Sequence, residues 1–166
     1  MPVGRNHRSL VSILAVFSGV DMAKKFANGE YALKNPAKYM GTLPVIYRSS
    51  WEISVMKVFD ENPHVLGWSS ESIQIPYFNP LKRAWSIYIP DFFVVFVDKA
   101  GNKRAEMIEV KPFKEVPWAN NKRSSQQTKA AQMVNQCKWT AAIKFCAKRG
   151  WNFRVATERE LFGYKK

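Results

Sequence analysis

The chain has 166 residues, enough for one domain with a real core. Apolar residues make up 46% and aromatics 14%, which excludes global disorder, and no apolar run approaches the roughly 18 residues of a membrane span. The net charge is +13, with two histidines and two cysteines. A histidine-rich metal centre, a four-cysteine zinc site and a disulfide scaffold are therefore excluded.

The charge is uneven. Residues 1–50 carry net +5, residues 51–110 net −2, and residues 111–154 net +9. An acidic middle beside a basic flank suits a metal-using enzyme on a polyanion: carboxylates gather cations while the flank neutralises phosphates. A solvated basic surface gives the same pattern.

Along the chain, Arg5 and Arg8 precede an apolar run from Leu10 to Val20. Ser12, Ser18 and Gly19 break that run, and no small-x-small cleavage site follows. Residues 1–22 read as a short docked helix, or as an N-terminal extension upstream of a start near Met22, rather than as a secretory signal. Residues 23–48 form a basic arm with Tyr31, Tyr39 and Tyr47 interleaved. Gly29, Pro36, Gly41 and Pro44 punctuate it, which predicts extended chain with little regular structure.

The spacing of Trp51, Val55, Val58 and Phe59 predicts a helix from Ser49 to about Asn62, ended by Asn62-Pro63. Strands are expected at Val65–Trp68, Ser72–Tyr77 and Trp85–Val97, the last continuing after a turn as Lys103–Val110. The turn is 98–102, with Gly101 supplying positive φ. Residues 112–124 are a basic loop. A long helix follows from about Ser125 to Arg149, stopped by Gly150. Trp151–Ala156 is a last strand, and Thr157-x-x-Glu160 opens a helical turn. Helix, strands, helix, strand predicts an α/β fold with a mixed sheet flanked by helices over residues 49–166. Cys137 and Cys146 lie on opposite faces of the long helix, about 180° apart, and cannot bridge each other. That fits a reducing compartment.

A hairpin centred on Ala100 sets Asp91 opposite Glu109. Opposed residues share a face with Cβ atoms about 5 Å apart, and Lys111 shares it two residues on. Two close carboxylates repel, and a divalent cation relieves the repulsion; Mg²⁺ prefers such oxygen ligands with open water positions. Glu-x-Lys also arises about once by chance in an ordinary chain, so a strand-edge charge and a surface ion pair read equally well here. Ser49-x-x-Glu52 is a capping box, which favours a capping role for Glu52.

Pro90-Asp91, seventeen intervening residues and Glu109-Val110-Lys111 resemble the PD-(D/E)xK nuclease motif. Over Lys34–Leu161 the segments KNPAKYMG, YRSSWE, WSSESIQIPY, YIPDF, IEVKP, QCKWTAA and RGWNF resemble, in order, the head-completion nucleases of contractile-tailed phages. The TnsA transposon endonucleases look like more distant relatives by the same motif. Residues 1–21 do not match, and a family-like start would fall near Met22.

The resemblance implies a restriction-endonuclease-like fold and Mg²⁺-dependent DNA cleavage, with Mn²⁺ as a substitute. Asp91 and Glu109 would hold the metal, with the Val110 carbonyl as a further ligand. Lys111 would orient or help deprotonate the attacking water and stabilise the developing charge. Glu52 would bind the metal or one of its waters. The implied partners are double-stranded DNA and the portal, neck or tail-attachment proteins of the phage, with no membrane. The implied place is the host cytoplasm during assembly, with retention in the virion left open.

On the long helix, Lys138 falls among apolar residues, where it either snorkels past the core edge or reaches the carboxylates. Gln136 is a weaker candidate for a phosphate contact. Lys34, Lys38, Arg48, Lys114, Lys122, Arg123 and Lys129 are the candidate DNA contacts. Trp51, Trp68, Trp85, Trp139 and Trp151 read as core. Trp118, in the basic loop, reads as a stacking residue for a base or sugar, or as a protein-docking residue. Three functions stand: a phage head-maturation endonuclease, an idle structural protein of the same fold, and a stand-alone junction- or repair-type nuclease.

Overall fold

The computed structural model describes residues 28–118 and 125–161. The expected N-terminal extension, Lys122 and Arg123 lie outside these residues. Among the described residues, eight strands and three α-helices follow in order: β1 (Gly29–Glu30), β2 (Ile46–Tyr47), α1 (Ser50–Glu61), β3 (Val65–Ser70), β4 (Ile75–Asn79), β5 (Ala84–Tyr88), β6 (Phe92–Val97), β7 (Lys103–Val110), α2 (Gln126–Ala147), β8 (Asn152–Ala156) and α3 (Glu158–Leu161).

The central sheet has the order β3-β6-β7-β8. β6 pairs antiparallel with β3 and β7, while β8 joins β7 in parallel. A parallel neighbour needs a crossover, and α2 supplies it. Strand alternation divides the core in two. Phe92, Val94, Phe96 and Ile108 meet Val55, Met56 and Phe59 of α1 on one face. On the other, Met107, Phe153 and Val155 meet Trp139, Ala142 and Cys146 of α2. This is the mixed sheet flanked by helices that the sequence predicts. Among the described residues, no helix is long and apolar enough to cross a membrane.

Helix ends follow the predicted chemistry. Ser49 caps α1, its hydroxyl accepting from the Glu52 N–H at 3.1 Å. Ser125 caps α2 in the same way through Thr128, and Gly150 beyond its end has φ +68°. The β6–β7 turn has Gly101 at φ +82°. Cys137 and Cys146 are both free, and both border the α2-side core.

The expected strand Trp85–Val97 is two strands in separate sheets. β5 pairs only with β4, in its own two-stranded sheet. Pro90, which has no N–H for a ladder, stands in the gap between β5 and β6. This break turns the β4–β5 hairpin over the α2 face, so Ile75, Tyr77 and Tyr88 are buried. Its outer face carries Phe78 and Trp85. Trp85 is 73% exposed, contrary to its expected place in the core. The strand expected from Ser72 begins only at Ile75. Trp118 is exposed, with its ring 5.7 Å from that of Trp139.

Residues 28–48 have little regular structure, as their punctuation predicts, yet they are firmly docked. Tyr31 and Val45 are buried in the α1-side core. The buried Asp60 of α1 accepts from the Tyr31 hydroxyl at 3.0 Å and from the backbone N–H groups of Lys34 and Asn35 at 2.7 and 3.0 Å. One side chain thus satisfies three donors that burial would otherwise strand.

Candidate active site

The β6–β7 register pairs Phe92 with Ile108 and Phe93 with Met107. One step further sets Asp91 opposite Glu109, the register that the count around Ala100 predicts. Asp91 lies at the corner entering β6, where its Oδ2 accepts from the Val110 N–H at 2.7 Å. Glu109 is 5% exposed. Its Oε2 accepts from the Tyr88 hydroxyl at 2.8 Å, and its Oε1 lies 3.1 Å from Lys111 Nζ. The Lys111 N–H donates to the Ala156 carbonyl at 3.0 Å, extending the parallel ladder and holding the lysine beside the pair.

Burial pushes the Asp91 carboxyl well above the usual range, and Glu109 and then Glu52 push it further. The Val110 N–H and Lys111 pull against them. Burial opposes the charge on Lys111, but Glu109 and Asp91 outweigh it and raise its pKa. Lys138 is lowered by burial against the attraction of Glu109 and Asp91. Its Nζ lies 5.6 Å from the Tyr88 ring centroid and 5.9 Å from that of Tyr77. Among the described residues Lys138 forms no ion pair with either carboxylate, and its ammonium lies over the two tyrosine rings.

Glu52 keeps its cap. Its Oε2 accepts from the Arg48 N–H at 2.8 Å, and its Oε1 from the Ser49 hydroxyl at 3.1 Å. It reaches Asp91 through its charge. Among the described residues, no group of three or more His, Cys, Asp and Glu could hold a metal ion. The two carboxylates there are Asp91 and Glu109. Such a set fits Mg²⁺, which takes one or two carboxylates and keeps several waters.

Other predicted contacts are scattered. Gln136 is exposed and lies two residues from Lys138, about 200° around α2, so it does not join the carboxylates. Lys34 pairs with Glu61 at 2.6 Å, and Arg48 with Glu71 at 2.8 Å. Lys38 donates to the Asp60 and Asn62 carbonyls at the end of α1. Lys114 and Lys129 are exposed.

Sequence reasoning missed Tyr88. It stands near Asp91 in sequence, but its bond to Glu109 spans 21 residues and depends on the fold-back of the β4–β5 hairpin. No local signal marks it.

The family model of the TnsA-like endonuclease N-terminal domain matches residues 62–158, more than half of the chain. That span includes Asp91, Glu109 and Lys111 but not Glu52. The head completion nuclease of Enterobacteria phage T4 is 33% identical over 149 residues, covering 83% of this chain and 97% of that protein. No solved structure matches the chain. The extent of both matches, over a mixed sheet that carries the paired acids at the ends of two strands, places the chain in the TnsA-like endonuclease family, together with the phage head completion nuclease.

Proposed function

We propose that this chain is a Mg²⁺-dependent DNA endonuclease of the PD-(D/E)xK type, acting in phage head completion. The observation that carries the reading is the convergence of Asp91, Glu109 and Lys111 on one buried corner. In this reading Asp91, Glu109 and the Val110 carbonyl hold the cation, which relieves the repulsion between the two acids. When bound, Mg²⁺ or Mn²⁺ supplies Lewis-acid activation of a water and charge neutralisation at the scissile phosphate. Lys111 enters as an ammonium, orients the attacking water and offsets charge developing on the phosphate. Lys138 supplies a second positive charge from the opposite wall. Glu52 acts by capping α1 and through its charge on Asp91. The relative's name supports an assembly role; we place it at the portal vertex, after packaging and before tail attachment, in the host cytoplasm.

The basic residues Lys114, Lys129, Lys122 and Arg123 neutralise DNA phosphates. Lys34, Lys38 and Arg48 contribute less, since each already has a protein partner.

The test is incubation of purified protein with plasmid, linear and branched DNA, with Mg²⁺ or EDTA. Wild type is expected to cut only with Mg²⁺. Lys111→Ala abolishes cleavage and leaves DNA binding nearly unchanged, because affinity comes from many phosphate contacts while the lysine acts on the water and transition state. No cleavage of any substrate by wild type would transfer the assignment to a structural head-completion protein. The engagement of both Glu52 oxygens in a cap is the observation that favours that second reading.

A further inference from the structure

The β4–β5 hairpin stands outside the central sheet, yet its inner face lies against the candidate site. Tyr88 is 3% exposed, and its hydroxyl donates to Glu109 Oε2 at 2.8 Å. The other oxygen of Glu109 faces Lys111 at 3.1 Å. A carboxylate held on both oxygens cannot turn freely about its last torsion. Its remaining lone pairs therefore keep a set direction, which a metal ligand needs. The same ring, with that of Tyr77, lies near the Lys138 ammonium at 5.6 and 5.9 Å. Cation–π attraction holds a partly buried ammonium at such distances. An ammonium near the ring also withdraws charge from the phenol and strengthens its O–H as a donor. One tyrosine thus touches both the acid and the cation that flank the site.

We propose that Tyr88 is the positioning residue of Glu109: its hydroxyl orients the carboxylate for cation binding, and its ring, with Tyr77, seats Lys138. This rests on the reading of Asp91 and Glu109 as a divalent-cation centre. A buried phenol that merely needed an acceptor would affect stability and leave cation affinity alone.

The experiment titrates the full chain with Mn²⁺ and follows free Mn²⁺ by electron paramagnetic resonance, without DNA. Tyr88→Phe keeps the ring and removes the hydroxyl. Its Mn²⁺ midpoint is expected to rise about ten- to a hundredfold, the usual effect of losing a group that orients a metal ligand. Tyr39→Phe is the control, since its hydroxyl donates to the Thr42 carbonyl and is not bonded to Glu109; its midpoint should match wild type. Glu109→Gln tests the underlying reading and should lose the ion. Loss in Glu109→Gln with an unchanged midpoint in Tyr88→Phe would overturn the positioning role alone. Equal binding by wild type and Glu109→Gln, or no binding by either, would overturn the cation centre and this role with it. A second measurement needs no loss of the hydroxyl: 3-fluorotyrosine is placed at position 88 and its ¹⁹F resonance followed against Mg²⁺. The resonance should move with the cation titration, and a stationary signal would also overturn the proposal.

Discussion

Glu106 and Glu109 lie three residues apart on β7, on opposite faces of the sheet, and both are buried. Glu109 has a phenol on one oxygen and an ammonium on the other. Among the described residues, Glu106 has only Arg154, at 3.9 Å, and its Oε2 has no hydrogen-bond partner. Burial therefore outweighs the pull of Arg154 and pushes the Glu106 carboxyl up to about 7. An unfolded glutamate titrates near 4.3. Between those values the folded state keeps a proton that the unfolded chain has released, so stability falls as pH rises through the window. The contribution is fully present below about pH 4 and gone above about pH 7. Glu106→Gln carries no titrating group and removes this slope. Relative to wild type, the variant should gain on the order of 3 kcal/mol between pH 4 and pH 8. Urea unfolding of both proteins at the two pH values measures it. A constant difference would show that Glu106 titrates normally.

At the scale of elements, the two sides of the sheet are built differently. The α1 side is a continuous apolar core in which Trp68 is fully buried, with the rings of Tyr31, Tyr39 and Phe59 within 4.8–6.1 Å. On the α2 side the β4–β5 hairpin forms a lid with one wet face. Trp85 on that face has an aromatic neighbour in Phe78 at 6.0 Å. Sequence alone does not separate these tryptophans, since both lie in strands with apolar neighbours. Packing separates them sharply. Trp68→Ala should cost about 3–5 kcal/mol through lost burial and a cavity. Trp85→Ala should cost less than about 1 kcal/mol, the size of one exposed cross-strand pair. Chemical denaturation of the two variants checks the contrast, and similar losses would mean that the outer face of the hairpin is covered.

At the scale of the whole molecule, charge and site are divided by position in the chain. The acids of the site lie in the stretch of net −2, and the following stretch carries +9. If that flank meets DNA, log K should fall with log salt at about −0.9 per phosphate neutralised. Lys122→Ala with Arg123→Ala should flatten the slope by up to about two units without changing sequence preference. Lys34→Ala should leave the slope nearer to wild type, since its ammonium already pairs with Glu61. Filter binding across a salt series measures both. An unchanged slope in the double variant would take the loop off the DNA path while leaving the catalytic assignment intact.

Local rules suffice for much of this protein. Cap residues mark where α1 and α2 begin, because a side chain and the backbone N–H it satisfies lie within three residues. The hairpin register, and with it the opposition of Asp91 and Glu109, follows from counting outward from one turn. The partners of Glu109 and Lys138 among the tyrosines of the β4–β5 hairpin, the exposure of Trp85 and the docking of residues 28–48 on Asp60 do not follow from such counting. Each depends on segments distant in sequence being folded together. Periodicity tells which side of a strand is apolar; only the assembled layers decide whether another element covers that side or water does.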